Sequence, residues 1–184
     1  YKDGTKVREC LDQEACQVDF PETIDVKITD YCNMGCPWCH EQSTVAGKHG
    51  DLEELKKELQ WLVGKPIELA IGGGNPLDHP DLVDFLVWAK QKGFICNITV
   101  NQGHITPYFY FIKSLVETDL VKGLGVSVSS SLPQDTLCSL SQLTEHLVLH
   151  FIAGIHTIVE IEKVIEKLEN PKFLILGYKS FGFG

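Results

Sequence analysis

From Ile24 onward the chain alternates between two hydrophobic rhythms. Short runs rich in Val, Ile, Leu and Phe, at Ile24–Thr29, Ile67–Ile71, Ile95–Val100, Leu124–Ser129, Leu147–Ile152 and Lys172–Leu176, have the length and composition of strands. Between them apolar residues recur three and four apart, as at Leu52, Leu55, Leu59 and Leu62. That spacing predicts helices over Leu52–Val63, Asp81–Lys92, Pro107–Glu117, Pro133–Thr144 and Thr157–Leu168. Asp51 suits the N-cap of the first, and Thr157 with Glu160 three residues on forms a capping box for the last. Pro107 and Pro133 stand where a first helical turn tolerates proline. Strands alternating with helices imply parallel pairing through right-handed crossovers. The result is an α/β sheet that either curls into a partial barrel or lies open and doubly wound.

In such sheets ligands gather at the carboxyl ends of the strands. Here those ends carry Cys32 to Cys39, Gly72-Gly73-Gly74-Asn75-Pro76, Asn101-Gln102-Gly103-His104, Ser129-Ser130-Ser131, Gly154-Ile155-His156 and Gly177-Tyr178-Lys179. The opposite turns hold ordinary turn formers such as Gly64, Pro66, Gly93 and Pro171. The first rim is the working face.

At 184 residues and 43% apolar content the chain supports one core. It reads as a polar leader, residues 1–23, followed by a single domain over 24–184 whose glycine-rich end looks cut short. A formal charge of −9 disfavours long nucleic acid, whose backbone is bound by Lys and Arg. No apolar run approaches membrane-spanning length, and the leader lacks a signal-peptide core. Seven cysteines, an odd number with three crowded together, indicate reduced thiols and a cytoplasmic location.

Cys32, Cys36 and Cys39 lie within eight residues, directly after the first strand. Three thiolates are one short of a closed tetrahedral zinc site, although His40 and His49 keep zinc open as an alternative. They suit a four-iron cluster with one iron left for a non-protein ligand. Cys10, Cys16, Cys96 and Cys138 have no short pairwise spacing for a second cluster and read as small buried hydrophobes. Ser127 and Ser129 alternate with Val126 and Val128 and so share one face, either the ligand-bearing interior or the outside of an amphipathic strand.

The spacing CxxxCxxC, with Trp38 before its last cysteine, resembles the signature loop of the radical S-adenosylmethionine (SAM) enzymes. Gly72-Gly73-Gly74-Asn75-Pro76, one βα unit later, resembles the motif whose backbone receives the SAM amino group; Asn75 stands where that family usually has Glu. The resemblance implies a partial (β/α)6 parallel barrel, a 4Fe-4S cluster on the three cysteines, and SAM held by the glycine loop, with Asn75 accepting from its ammonium group. It further implies that Asn101 forms a turn frequent in the family, that Ser127 and Ser129 reach the ribose or methionine carboxylate, and that Ile152 and Trp38 flank adenine. His150 reads either as a satisfied core residue or as cofactor-facing, and so does His156. The implied activity is cleavage of SAM to a 5′-deoxyadenosyl radical that takes hydrogen from a substrate, with electrons from a donor such as flavodoxin or ferredoxin.

The chain looks most like the small members, glycyl-radical activases and carboxydeazaguanine synthase-like enzymes. A small-molecule or nucleotide-like substrate is expected, closed over by a lid at Thr44–Gly50 hinged on Gly47 and Gly50, with Tyr178 and Lys179 near it. A protein or peptide substrate is the alternative, and a SAM-binding protein without turnover or a zinc-stabilised interaction domain are others.

Overall fold

A computed structural model describes residues 19–128, 133–170 and 172–183, apart from the side chains of Gln134 and Leu137. Six strands, β1 (Thr23–Thr29), β2 (Glu68–Gly73), β3 (Ile95–Asn101), β4 (Gly123–Ser127), β5 (Leu147–Ile152) and β6 (Phe173–Leu176), form one sheet in the order of the chain. Every adjacent pair is parallel. A doubly wound sheet reverses its strand order at a switch point. This one never reverses, and β1 does not pair with β6, so it is a partial, unclosed (β/α) barrel.

The helices are α1 (Leu52–Glu58), α2 (Leu82–Gln91), α3 (Gln102–Glu117), α4 (Gln134–Leu143) and α5 (Ile158–Ile165). Side chains alternate across a strand, and burial alternates with them. On β3, Cys96, Ile98 and Val100 are buried while Asn97, Thr99 and Asn101 are half-exposed. Val26, Ile28, Leu69, Ile71, Val126, Leu149 and Phe151 join the buried set, packed with Leu82, Phe85, Leu86, Ile112 and Leu140 from the helices. The opposite, concave face carries Glu68, Asn97, Thr99, Ser127 and His150 and forms a polar trough. Gly123 and Gly125 let this row lie flat across β4: a Cβ at Gly123 would stand 2.5 Å from Asn97 Oδ1, and one at Gly125 would stand 2.8 Å from Thr99 Oγ1.

Several boundaries differ from the hydrophobic pattern. The first helix stops at Glu58 and continues as a short 3-10 helix over Gln60–Leu62, ahead of Gly64 at φ +80°. Pro107 does not open its helix. Asn101 caps α3 six residues earlier by accepting from the Gly103 N–H at 2.9 Å, which leaves Pro107 inside. The fifth helix is shorter than its apolar pattern, although the capping box at Thr157 and Glu160 is present. The fourth strand ends at Ser127, and Ser129 lies outside the described residues, as do Cys10 and Cys16.

Thr44–Gly50 is not a lid. Cys32 N–H donates to Thr44 O (3.0 Å), Thr44 N–H to Asp30 O (3.2 Å), Asp30 N–H to Lys48 O (2.9 Å) and Gly50 N–H to Ile28 O (2.8 Å). A Cβ at Gly47 would overlap the Asp30 backbone. The glycines there permit close stitching, and the segment is a pedestal under the cysteine loop.

Phe85 is fully buried and stacks on Trp88 at 5.8 Å between ring centroids. Phe85→Ala is expected to cost about 3–5 kcal/mol, the usual range for emptying a packed aromatic site. Denaturant melts of the metal-free protein measure this.

Candidate functional site

Strand β1 pairs with β2 in regular register up to Lys27 opposite Gly72, then skips so that Thr29 faces Gly73. The irregularity turns the chain out of the sheet as bulges do and into the cysteine loop. Thr29 Oγ1 accepts from the Tyr31 N–H at 2.9 Å. Gly35 adopts φ +61°, and Cys39 N–H donates to Cys36 O at 3.1 Å, so the loop winds on itself between its cysteines.

The glycine turn is fastened to the same loop. Gly74 N–H donates to Thr29 O (2.7 Å) and Asn75 N–H to Tyr31 O (2.6 Å). Gly73 has φ +113°, and a Cβ there would overlap Thr29 O; one at Gly74 would overlap Tyr31 O. These two glycines serve backbone approach. Gly72 differs: a Cβ would meet no atom within 4 Å, because its open side is the cavity.

That cavity, of about 310 Å³, is where the predicted residues come together. Cys32, Cys36 and Cys39 line one end, and Trp38, Gly72 to Gly74, Asn101, Ser127, His150 and Ile152 line the rest. Burial, ahead of the neighbouring thiols, pushes the Cys36 thiol up. Burial likewise leads the rise at Cys32, with Cys39 and Asp78 adding to it.

Asn75 and His156 are not brought to the cavity. Asn75 is fully buried, its Nδ2 donating to Asp78 Oδ2 at 2.8 Å while its Oδ1 accepts from Leu77 N–H at 3.4 Å. Asp78 also accepts from the Tyr108 hydroxyl, and this bond leads the rise of the Tyr108 pKa to about 12. The expectation of an Asn75 carbonyl facing a ligand ammonium is therefore corrected: both ends of the amide are used inside the protein. His156 closes the turn after β5, its Nδ1 2.9 Å from Ile152 N, and its ring sits edge-on to Phe151.

Sequence reasoning passed over Met34, Ser43 and Thr99, which also line the cavity. For Thr99 a signal existed in the period-two row Asn97, Thr99, Asn101. Tyr178 and Lys179 reach the cavity wall from the segment after β6, which returns to the cysteine loop. There Phe183 N–H donates to Cys39 O at 2.9 Å, and Lys179 Nζ lies 3.1 Å from His40 Nε2.

Three thiolates carried on one loop beside an open cavity suit the corners of an iron–sulfur cluster, which separate thiolates hold. Ser43 Oγ, buried at the cavity wall without a partner among the described residues, fits a polar occupant.

A partial parallel barrel thus brings three loop cysteines and a glycine turn together at its carboxyl rim. The chain belongs to the radical SAM superfamily, whose model matches residues 26–173. That superfamily uses a 4Fe-4S cluster and SAM. An AdoMet-dependent heme synthase of Methanosarcina barkeri is 31% identical over 91 residues, 47% of this chain and 26% of that protein. A 7,8-dihydro-6-hydroxymethylpterin dimethyltransferase of Methanocaldococcus jannaschii is 23% identical over 101 residues, 52% of this chain and 20% of that protein. An AdoMet-dependent heme synthase of Nitratidesulfovibrio vulgaris is 28% identical over 85 residues, 44% of this chain and 23% of that protein. The matched stretches span about a quarter or less of these relatives. Family and relatives support an enzyme. No helix among the described residues is long and apolar enough to cross a membrane.

Burial holds the pKa of His150 and of His104 below the ordinary histidine value of 6.5. In the unfolded chain both bind protons more readily, so stability rises with pH through this window. It is complete above about 6.5 and falls as pH drops below that value. Denaturant midpoints of the metal-free protein across pH 5 to 8 should show the slope, and His150→Gln should reduce it. An unchanged slope would mean that the ring is protonated equally in both states.

Proposed function

We propose that this chain is the catalytic barrel of a radical SAM enzyme acting on a polar small molecule. Cys32, Cys36 and Cys39 hold the cluster, and SAM lies along Gly72, Asn101, Ser127 and Ile152, with Trp38 beside adenine. When bound, these cofactors supply a 5′-deoxyadenosyl radical that takes a hydrogen atom from the substrate. The chain's own work is placement and exclusion. Gly72 leaves room for the methionine end, and Asn75 with Asp78 keeps the glycine turn in shape. Ser127 offers a hydroxyl to ribose or carboxylate, and the apolar wall of Val128 and Ile152 keeps water from the reacting centre. Ser129 is assigned to the same row by alternation.

The polar trough carries the substrate reading. A second cavity of about 360 Å³ continues the first along the concave face, the two meeting at Thr99 and His150. Such a space suits a small polar molecule, and the names of two relatives mention a heme and a pterin, both small molecules. A protein partner is the second reading, favoured by β6, where Phe173 to Leu176 are 39–48% exposed. The electron comes from an external donor such as flavodoxin or ferredoxin, and the free thiols of the loop suit the cytoplasm.

Anaerobically reconstituted protein should bind about four irons per chain and, once reduced, release 5′-deoxyadenosine from SAM. Cys32→Ala, Cys36→Ala and Cys39→Ala should each abolish both. Gly72→Val should retain iron and fold yet lose SAM binding, since its side chain enters open cavity rather than protein. SAM binding to the cluster-loaded protein without deoxyadenosine would leave a binding protein and overturn the enzyme. Turnover stimulated by the low-mass fraction of a lysate is expected, and stimulation by the macromolecular fraction alone would favour the second reading.

A further inference from the structure

We propose that Asn101 is a positioning residue that raises the reduction potential of the cluster by donating a hydrogen bond to the sulfur of Cys36. The inference rests on the cluster assignment above and adds a role that side-chain chemistry alone defines.

Asn101 Nδ2 lies 3.6 Å from Cys36 Sγ, within reach of an N–H···S bond. Its orientation is settled by the other end of the amide. Oδ1 accepts from Gly103 N–H at 2.9 Å as the cap of α3, so Nδ2 is the group left to face the thiolate. The amide cannot flip without breaking the cap.

The surroundings hold this contact in register. The first turn of α3 touches the cysteine loop at two further points. His104 Nε2 lies 3.3 Å from Asn33 Oδ1, and Gly103 packs so closely beneath Met34 that a Cβ would overlap its methyl group. The helix amino end carries a partial positive charge and is pressed against the side of the loop that bears Cys36. No Lys or Arg stands in Tyr31–Glu41. Neutral donors and dipoles are therefore what this stretch offers to developing negative charge.

The reductive step adds one electron from the external donor and no proton, so negative charge on the ligand sulfurs increases. A donor bonded to one of them favours the reduced form, and hydrogen bonds to sulfur are among the determinants of cluster potential. Without the Asn101 donor the cluster is harder to reduce.

Three substitutions separate this from helix capping. Asn101→Ser keeps a capping oxygen but is too short to reach the sulfur. Asn101→Asp keeps the cap and replaces the donor with a carboxylate. Asn101→Ala removes both. Redox titrations followed by electron paramagnetic resonance should give a more negative midpoint in the Ser and Ala variants and the most negative in the Asp variant. At one fixed donor potential the reduced fraction should fall several-fold. Thermal stability of the metal-free protein should fall in the Ala variant alone. Wild-type midpoints in fully iron-loaded Ser and Asp variants would overturn the proposal, leaving Asn101 a helix cap. Loss of the cluster from all three variants, with the wild type loading normally, would also overturn it, because Asn101 would then be needed for assembly. Failure of the wild type to load iron would instead overturn the cluster assignment itself.

Discussion

Two backbone hydrogen bonds fasten the glycine turn to the cysteine loop: Gly74 N–H to Thr29 O and Asn75 N–H to Tyr31 O. They are short, and side-chain-free residues let them form. A Cβ at Gly73 or Gly74 would overlap the accepting carbonyls. The register skip at the end of β1 brings those carbonyls round to face β2's exit. Because the two loops are joined through the main chain, the cysteines and the cavity-lining glycines are fixed relative to each other. Such preorganisation is what a site needs when reactive species must be generated in one place and used in another a few ångströms away.

The same constraint explains the residues packed behind the glycine turn. Asn75 is buried and spends its amide on Asp78 and Leu77, and Asp78 passes the connection to Tyr108 on α3. Helix α3 in turn meets the cysteine loop through Asn101, Gly103 and His104. The path runs from loop to turn to helix and back to the loop. Replacing any link loosens a closed circuit.

The chain's fold was largely legible because its two hydrophobic periods are clean. Cys96, Ile98 and Val100 alternate with Asn97, Thr99 and Asn101, and that row alone implies one face against helices and another against something polar. Boundaries were less legible where side chains compete with pattern. Pro107 suggested a helix start, yet the Asn101 cap overrode it. Gly47 suggested a hinge, because a glycine that moves and a glycine that permits close packing read alike in sequence. The cysteines and glycines that the structure gathers at one cavity stood out by their spacing. Asn75 misled because its neighbours Asp78 and Tyr108, thirty residues apart from each other in the chain, form a partnership that no local window contains.

The polar concave face follows from leaving the barrel open. In a closed barrel the interior is filled by its own branched side chains, whereas here Gly123 and Gly125 leave two positions of β4's inner face without side chains, and Asn97, Thr99 and His150 crowd against them. An interior of this kind gains little from hydrophobic packing, so stability is concentrated on the helix-covered face, where Ile71, Phe85, Leu86, Val126 and Leu149 are fully enclosed. The division has a chemical consequence. One face of a single sheet carries the fold, and the other is free to vary in polarity with whatever it must hold. The cysteine and glycine loops sit at the rim between them, tied to the rigid face by main-chain bonds and open to the polar one.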